Sequence, residues 1–308
     1  MRHPVDGFRI PAPIVRLFDY LAGLEEAEYL ESWELQLRFA PLLYDFSPDL
    51  LAARSWELPD LPREKCQELD YLTTPFELSP VSWSGLDGLH YDWVVHAPEL
   101  DLPDFPMVSY APSEDAAVWL GDDTAQGLAH LMVGQRKARL KSRMEDPLQS
   151  PQWDLLVRLV GHRPNPDDPR ITPGARSRLA CVPHVPEGYR FEPACDGVGV
   201  LAPAHFFGDL DVAALSRDEL GLDREARAHA SAGQHGTALL ALKQWRPLRP
   251  EEPGIIERMR DAYEALGRPM HAARAAMSEN RSARPGRWES SGVGAPRGMV
   301  VSAMNGSF

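Results

Sequence analysis

Leu86-Asp87-Gly88-Leu89-His90-Tyr91-Asp92-Trp93-Val94-Val95-His96 holds a chain reversal and a strand in one run. Asp-Gly is a strong turn signal, because glycine accepts a positive φ without steric cost. From Leu89 onward the residues are rich in the aromatic and β-branched types that suit a pleated, half-buried strand. Side chains alternate across a strand, so Leu89, Tyr91, Trp93 and Val95 share one face and His90, Asp92, Val94 and His96 the other. The first face is the more apolar and is expected to point inward. That leaves His90, Asp92 and His96 as expected surface residues. Met107-Val108-Ser109-Tyr110 and Ala117-Val118-Trp119-Leu120 read as two more strands. Gly121-Asp122-Asp123-Thr124 then offers an N-cap to a helix from Ala125 to Val133.

Upstream, Ile14, Leu17, Phe18 and Leu21 fall on one helical face, and Leu30, Trp33 and Leu37 continue the pattern after Gly23. A helical stretch is therefore expected from Pro13 to Leu43, with Pro13 suited to a first turn. Helices, then an antiparallel sheet, then a closing helix make an α+β order, unlike alternating βαβ. Downstream, prolines crowd residues 146–175 around a helix from Trp153 to Val160. Arg178–Val182, Tyr189–Glu192 and Val198–Ala202 read as short strands, and 211–217 as a helical turn or two.

Ala228, Gly233 and Ala238 recur as Ala262, Gly267 and Ala272, each offset by 34 residues. That is the tetratricopeptide period, with small residues for close packing and glycine to end the first helix of each pair. Leu239, Leu242, Tyr263 and Leu266 are the expected buried positions, and Pro250 lies between the units. The plain alternative is a pair of helical hairpins within a globular domain. The expected organisation is an α+β domain over 1–140, a Pro-rich linker and small mixed region over 141–222, tetratricopeptide-like hairpins over 223–279, and a disordered tail over 280–308.

The chain has 308 residues and a formal net charge of −13. Such acidity disfavours binding to a phosphate backbone, which needs a basic footprint, and suits a basic protein partner. No apolar run approaches the roughly 18 residues of a membrane helix. Met1–Gly7 lacks the apolar core of a secretion signal, so a cytoplasmic protein is expected. Cys66, Cys181 and Cys195 are too few and odd in number for a disulfide framework. Only Lys65, Lys137, Lys141 and Lys243 are lysines; 28 of the 32 basic residues are arginine, which reads as genome bias.

Catalytic motifs are missing. There is no G-x-S-x-G and no G-x-x-x-x-G-K-[ST], and Gly197-Val198-Gly199 is only a fragment of a glycine-rich loop. Cys181-x-x-His184 with Cys195 and His205 has zinc-compatible residue types, but the second pair is too widely spaced for a knuckle. No metal and no cofactor is expected. His90 and His96 with Asp87 and Asp92 could form a carboxylate–imidazole pair, yet no activated nucleophile accompanies them. Glu25, Glu26, Glu28 and Glu31 read as a solvated helix face or a patch for a basic partner. Arg136–Arg143 reads as a solvated basic face or linker.

Taken in order, Thr74-Pro75-Phe76, Trp83-Ser84-Gly85-Leu86-Asp87-Gly88-Leu89-His90-Tyr91, Phe105-Pro106-Met107-Val108, Pro112, Val118-Trp119-Leu120-Gly121-Asp122 and Gly127-Leu128 form a recognisable series. Residues 74–133 resemble the SUKH superfamily, which includes yeast cell-wall regulators and bacterial immunity proteins against polymorphic toxins. Leu61-Pro62 and a helix-like 63–72 precede the match, without the family's Asn-Gly turn. The resemblance implies a noncatalytic scaffold that binds proteins through its sheet and loops. Acidic members suit the masking of a basic toxin domain. Trp83, Asp87, His90, Asp92, His96 and Trp119 are the expected binding residues. Two alternatives stay open: an adaptor binding through the C-terminal helices, and an enzyme using histidines and acids in an unrecognised fold.

Overall fold

The computed structural model describes residues 8–22, 74–83, 89–110, 117–141, 151–163, 165, 168, 184–209, 219–246 and 253–282. Helix α1 (Ala12–Ala22) carries Pro13 in its first turn and buries Ile14 and Leu17. Strands β1 (Leu78–Trp83), β2 (His90–Val94), β3 (Met107–Tyr110) and β4 (Val118–Gly121) form an antiparallel meander in that order. Helix α2 (Thr124–Lys141) closes it, capped by Asp123, whose Oδ1 accepts the Gln126 N–H at 2.7 Å. Helix α3 (Pro151–Val160) packs on α1 and α2. The fold class is α+β, as the order of sequence patterns implies.

Strand β1 has no counterpart among the three expected strands of this sheet. Pro80 lies in its middle, and proline cannot donate to a ladder. The fold accommodates it because β1 is an edge strand, with a register shift between Pro80 and Ser82.

Both faces of the sheet are covered. Trp93, Val95, Val81, Met107 and Leu120 join Phe8, Ile14, Leu17, Leu128 and Met132 in one core. Phe8 stands edge-on to Trp93 and to Phe105, with ring centroids at 5.7 and 5.2 Å. On the opposite face Leu78, Val94, Val108 and Tyr110 pack with Val198. Val198 belongs to the turn of a two-stranded ribbon, β5 (Tyr189–Glu192) and β6 (Val200–Pro203). The ribbon reaches the sheet at β4, where Ala117 N donates to Asp196 O at 2.8 Å. Gly197 has φ +76°, and a Cβ there would lie 2.2 Å from Ala117 O, so this approach requires glycine. The expectation that His90, Asp92 and His96 face solvent is overturned: their exposures are 0%, 0% and 3%. The alternation holds, but the second face is roofed by a ribbon that lies about a hundred residues further along the chain.

The C-terminal part is two helical hairpins, α4 (Glu219–Ser231) with α5 (His235–Trp245), and α6 (Pro253–Ala265) with α7 (Pro269–Ser282). Their turns share one bonding pattern. Gln234 N donates to His229 O and Gly233 N to Ala230 O, as Arg268 N does to Tyr263 O and Gly267 N to Glu264 O. These are Schellman ends, and both glycines are left-handed, at φ +76° and +74°. Ala238, Ala262 and Ala272 are buried, as are Leu239, Leu242, Tyr263 and Leu266. Ala228 is exposed, so the 34-residue correspondence holds for the turns and not for every small residue. Helix α7 also continues through residues 280–282, the start of the segment expected to be disordered. The expected helix beyond Ala22, the strand at 178–182, the turn at 211–217, the acidic run at 25–31, Cys66, Cys181 and the rest of the tail lie outside the described residues.

Candidate functional site

Of the expected binding residues, His90, Asp92, His96 and Trp119 are described, and all four are buried. His90 Nδ1 and Asp92 Oδ2 are 2.7 Å apart and fully buried, and the imidazole packs at a tilt against Tyr110, with ring centroids at 5.2 Å. Trp119 is 2% exposed, and its Nε1 donates to Asp122 Oδ1 at 2.9 Å. His96 lies edge-on to Phe191 at 5.5 Å. Asp87 and the side chain of Trp83 lie outside the described residues. The structure thus brings His90 and Asp92 together but seals the pair.

A different cluster gathers the ionisable groups, and its members come from the sheet margin, the ribbon and the hairpins. Glu77 precedes β1, Asp196 sits in the ribbon turn, Lys243 ends α5, Tyr263 lies on α6 and His271 on α7. Lys243 Nζ stands 2.7 Å from Glu77 Oε1 and 3.0 Å from Asp196 Oδ2. The Tyr263 hydroxyl donates to the same Glu77 oxygen at 2.7 Å. Asp196 Oδ1 in turn accepts the N–H groups of Val198 and Gly199 at 2.9 and 3.0 Å, fixing the ribbon turn. Around this centre arginines hold main-chain carbonyls. Arg246 donates to Thr74 O at 3.0 Å, and Arg274 to Phe76 O at 3.0 Å and to Leu78 O. Arg268 bridges Glu99, at 3.0 Å, and Leu201 O.

The local sequence explains the placement of Lys243 and Glu77. Lys243 follows Leu239 by one helical step, so it shares the apolar face of α5. Its ammonium is buried and is stabilised there only by matched carboxylates. Glu77 stands between Phe76 and Leu78, both buried. Phe76 meets Tyr263 edge-on at 6.1 Å, and the Arg246 guanidinium lies 4.2 Å over the Phe76 ring.

Charge states follow from these contacts. Burial alone would raise the Glu77 pKa, but the Lys243 charge and the hydrogen bonds from Lys243 and Tyr263 outweigh it and hold it at about 2. Burial would lower Lys243; the charges of Asp196 and Glu77 reverse this and raise it. Burial pushes the Tyr263 phenol well above its ordinary value. Burial also lowers both histidines, His96 to about 3 and His271 well below the usual range. Among the described residues their ring nitrogens have no hydrogen-bond partner, which agrees with neutral, packing imidazoles. At neutral pH Glu77 and Lys243 form a fixed ion pair beside a protonated tyrosine and two neutral rings, with the Asp196 side chain 3.0 Å from the same ammonium.

Sequence reasoning missed Glu77, Asp196, Lys243 and Tyr263 as a group. The one available signal was a lysine, rare in this chain, on the apolar face of a helix. Among the described residues no group of three or more His, Cys, Asp or Glu is arranged to hold a metal ion. Cys195 is exposed, and its thiol lies 3.5 Å from Lys243 O. No helix among the described residues is long and apolar enough to cross a membrane. Compared with family models and with curated proteins, the chain matches none.

Proposed function

We propose that this chain is a noncatalytic protein-binding protein of the cytoplasm, with residues 1–140 forming a SUKH-like domain that neutralises a basic toxin domain by covering it. The carrying observation is the state of the buried cluster. General acid–base catalysis needs a group that titrates near working pH and touches substrate. Here Glu77 is pushed down, Lys243 and Tyr263 up, and His96 and His271 down, each away from neutrality. All five are buried. Such a cluster holds elements together and leaves function to the outer surface, which belongs to a chain of net charge −13. The buried His90–Asp92 pair moves the proposed contact surface from the strand faces to the loops and helix exteriors.

The test is affinity purification of the tagged full chain from its own cells at low salt, with mass spectrometry of what co-elutes. A near-stoichiometric basic partner, released as salt rises past physiological strength, is the expected result. A partner-free preparation that turns over a compound in a metabolite screen would overturn the reading. Deleting residues 223–308 is not a usable control, because Phe76 and Glu77 are buried against those helices.

A further inference from the structure

The segment Thr74–Ser79 is held by the helical hairpins as a ligand is held by a receptor. Among the described residues of the core formed by the hairpins and the ribbon, Phe76 is the sole buried member contributed from the part of the chain before Val200. Pro75–Leu78 forms a turn, closed by Leu78 N donating to Pro75 O at 3.1 Å, which presents Phe76 and Glu77 to the helices. Recognition divides into two kinds. The Phe76 ring and the Glu77 carboxylate are read by side chains: Tyr263 and Arg246 on the ring, Lys243 and Tyr263 on the carboxylate. The backbone is read separately, by Arg246 on Thr74 O and Arg274 on Phe76 O and Leu78 O. Arginine-to-carbonyl contacts are indifferent to the ligand's side chains, so the ring and the acid are the side-chain features the hairpins read, while Leu78 and Ser79 pair with β2 and the Glu77 carbonyl accepts the Val95 N–H at 2.9 Å. The hairpins contribute four cations here, Lys243, Arg246, Arg268 and Arg274; Asp196 pairs with Lys243 and Glu99 with Arg268, in a chain of net charge −13. The face therefore selects for an acidic turn.

We propose that the inner face of the two hairpins is a peptide-binding site occupied in cis by residues 74–79, and that a partner protein presenting an aromatic residue followed directly by a carboxylate, in a turn, takes the place of that segment. The proposal is independent of the toxin reading, since it uses the opposite charge and a different surface.

The probe is a fluorescein-labelled peptide of residues 73–81, Thr-Thr-Pro-Phe-Glu-Leu-Ser-Pro-Val, titrated by anisotropy with full-length protein. The double variant Phe76→Ala/Glu77→Gln vacates both side-chain sites in cis. It is expected to bind the peptide at least tenfold more tightly than wild type does. A peptide carrying the same two changes is expected to lose at least tenfold of that affinity. Equal binding by variant and wild type, with the variant's cooperative unfolding intact, would overturn the proposal. So would binding indifferent to the peptide's Phe and Glu. Should the double variant unfold, Glu77→Gln alone replaces it, with a threefold gain expected and no gain counting against the site.

Discussion

The two sides of the central sheet are sealed by different chemistry. Toward α1 and α2 the contact is apolar: Trp93, Val95 and Met107 against Phe8, Ile14 and Leu128. Toward the ribbon and hairpins, apolar packing is interrupted by Glu77, Asp196 and Lys243, with arginines on carbonyls around them. An apolar face tolerates any partner of about the right volume. A buried charge set tolerates only its own geometry, since one missing member strands the others. The difference teaches that volume is what the helix side reads, while the polar side reads the pairing of particular charges.

Removing one charge should break the polar side most severely. Lys243→Met leaves two carboxylates buried without their cation, and a loss of about 3–5 kcal/mol is expected in urea unfolding. A loss below about 1 kcal/mol would show the cluster to be slack. Acid comes next and acts on the same side. The folded pKa of His96 lies at about 3 against an ordinary 6.5, so only the unfolded chain takes up that proton in between. Stability is therefore full above pH 6.5 and declines as pH falls toward 3, by roughly 3–5 kcal/mol from this ring. Glu77 adds to the decline between its ordinary 4.5 and about 2, where the unfolded chain is again the better proton binder. Unfolding midpoints at pH 7, 5 and 3.5 measure this, and His96→Phe, which keeps the ring against Phe191, should flatten the upper part of the curve.

On the apolar side the same assays should show little. Met107→Leu conserves volume, and its cost is expected below about 1.5 kcal/mol, with no change in the pH profile. The smallest effects concern the hairpin turns. Gly233 and Gly267 leave open space where a Cβ would stand, but their φ is left-handed, so alanine at either should cost about 1 kcal/mol through backbone strain alone. Unequal costs, read by chemical denaturation, would show that the two hairpins are not mechanically equivalent.

These contrasts track what the sequence discloses. Strands β2, β3 and β4 and the Asp123 cap are legible because their signals are local: alternation, an acid at a helix start, aromatic density. The hairpin turns are legible because glycine at a left-handed position leaves a mark at a fixed spacing. Strand β1 is hidden by Pro80, which argues against a strand unless the strand is known to be an edge. The polar cluster is hidden by distance. Glu77 and Lys243 are 166 positions apart, and nothing near either residue names the other. The burial of His90 and Asp92 escapes a local reading for a related reason: alternation says which residues share a face, and only the distant ribbon decides whether that face is wet.

That separation of 166 residues also has a meaning in time. Translation proceeds at roughly 5–20 residues per second, so Glu77 leaves the ribosome on the order of 10–30 s before Lys243 is made. For that interval the nascent sheet has an unguarded margin, with Phe76 uncovered and no arginine on the carbonyls of Thr74, Phe76 and Leu78. A bare strand margin recruits neighbouring chains, and a proline within it is an effective deterrent. Pro80 thus shields the newborn chain until its own C-terminal helices arrive to do so.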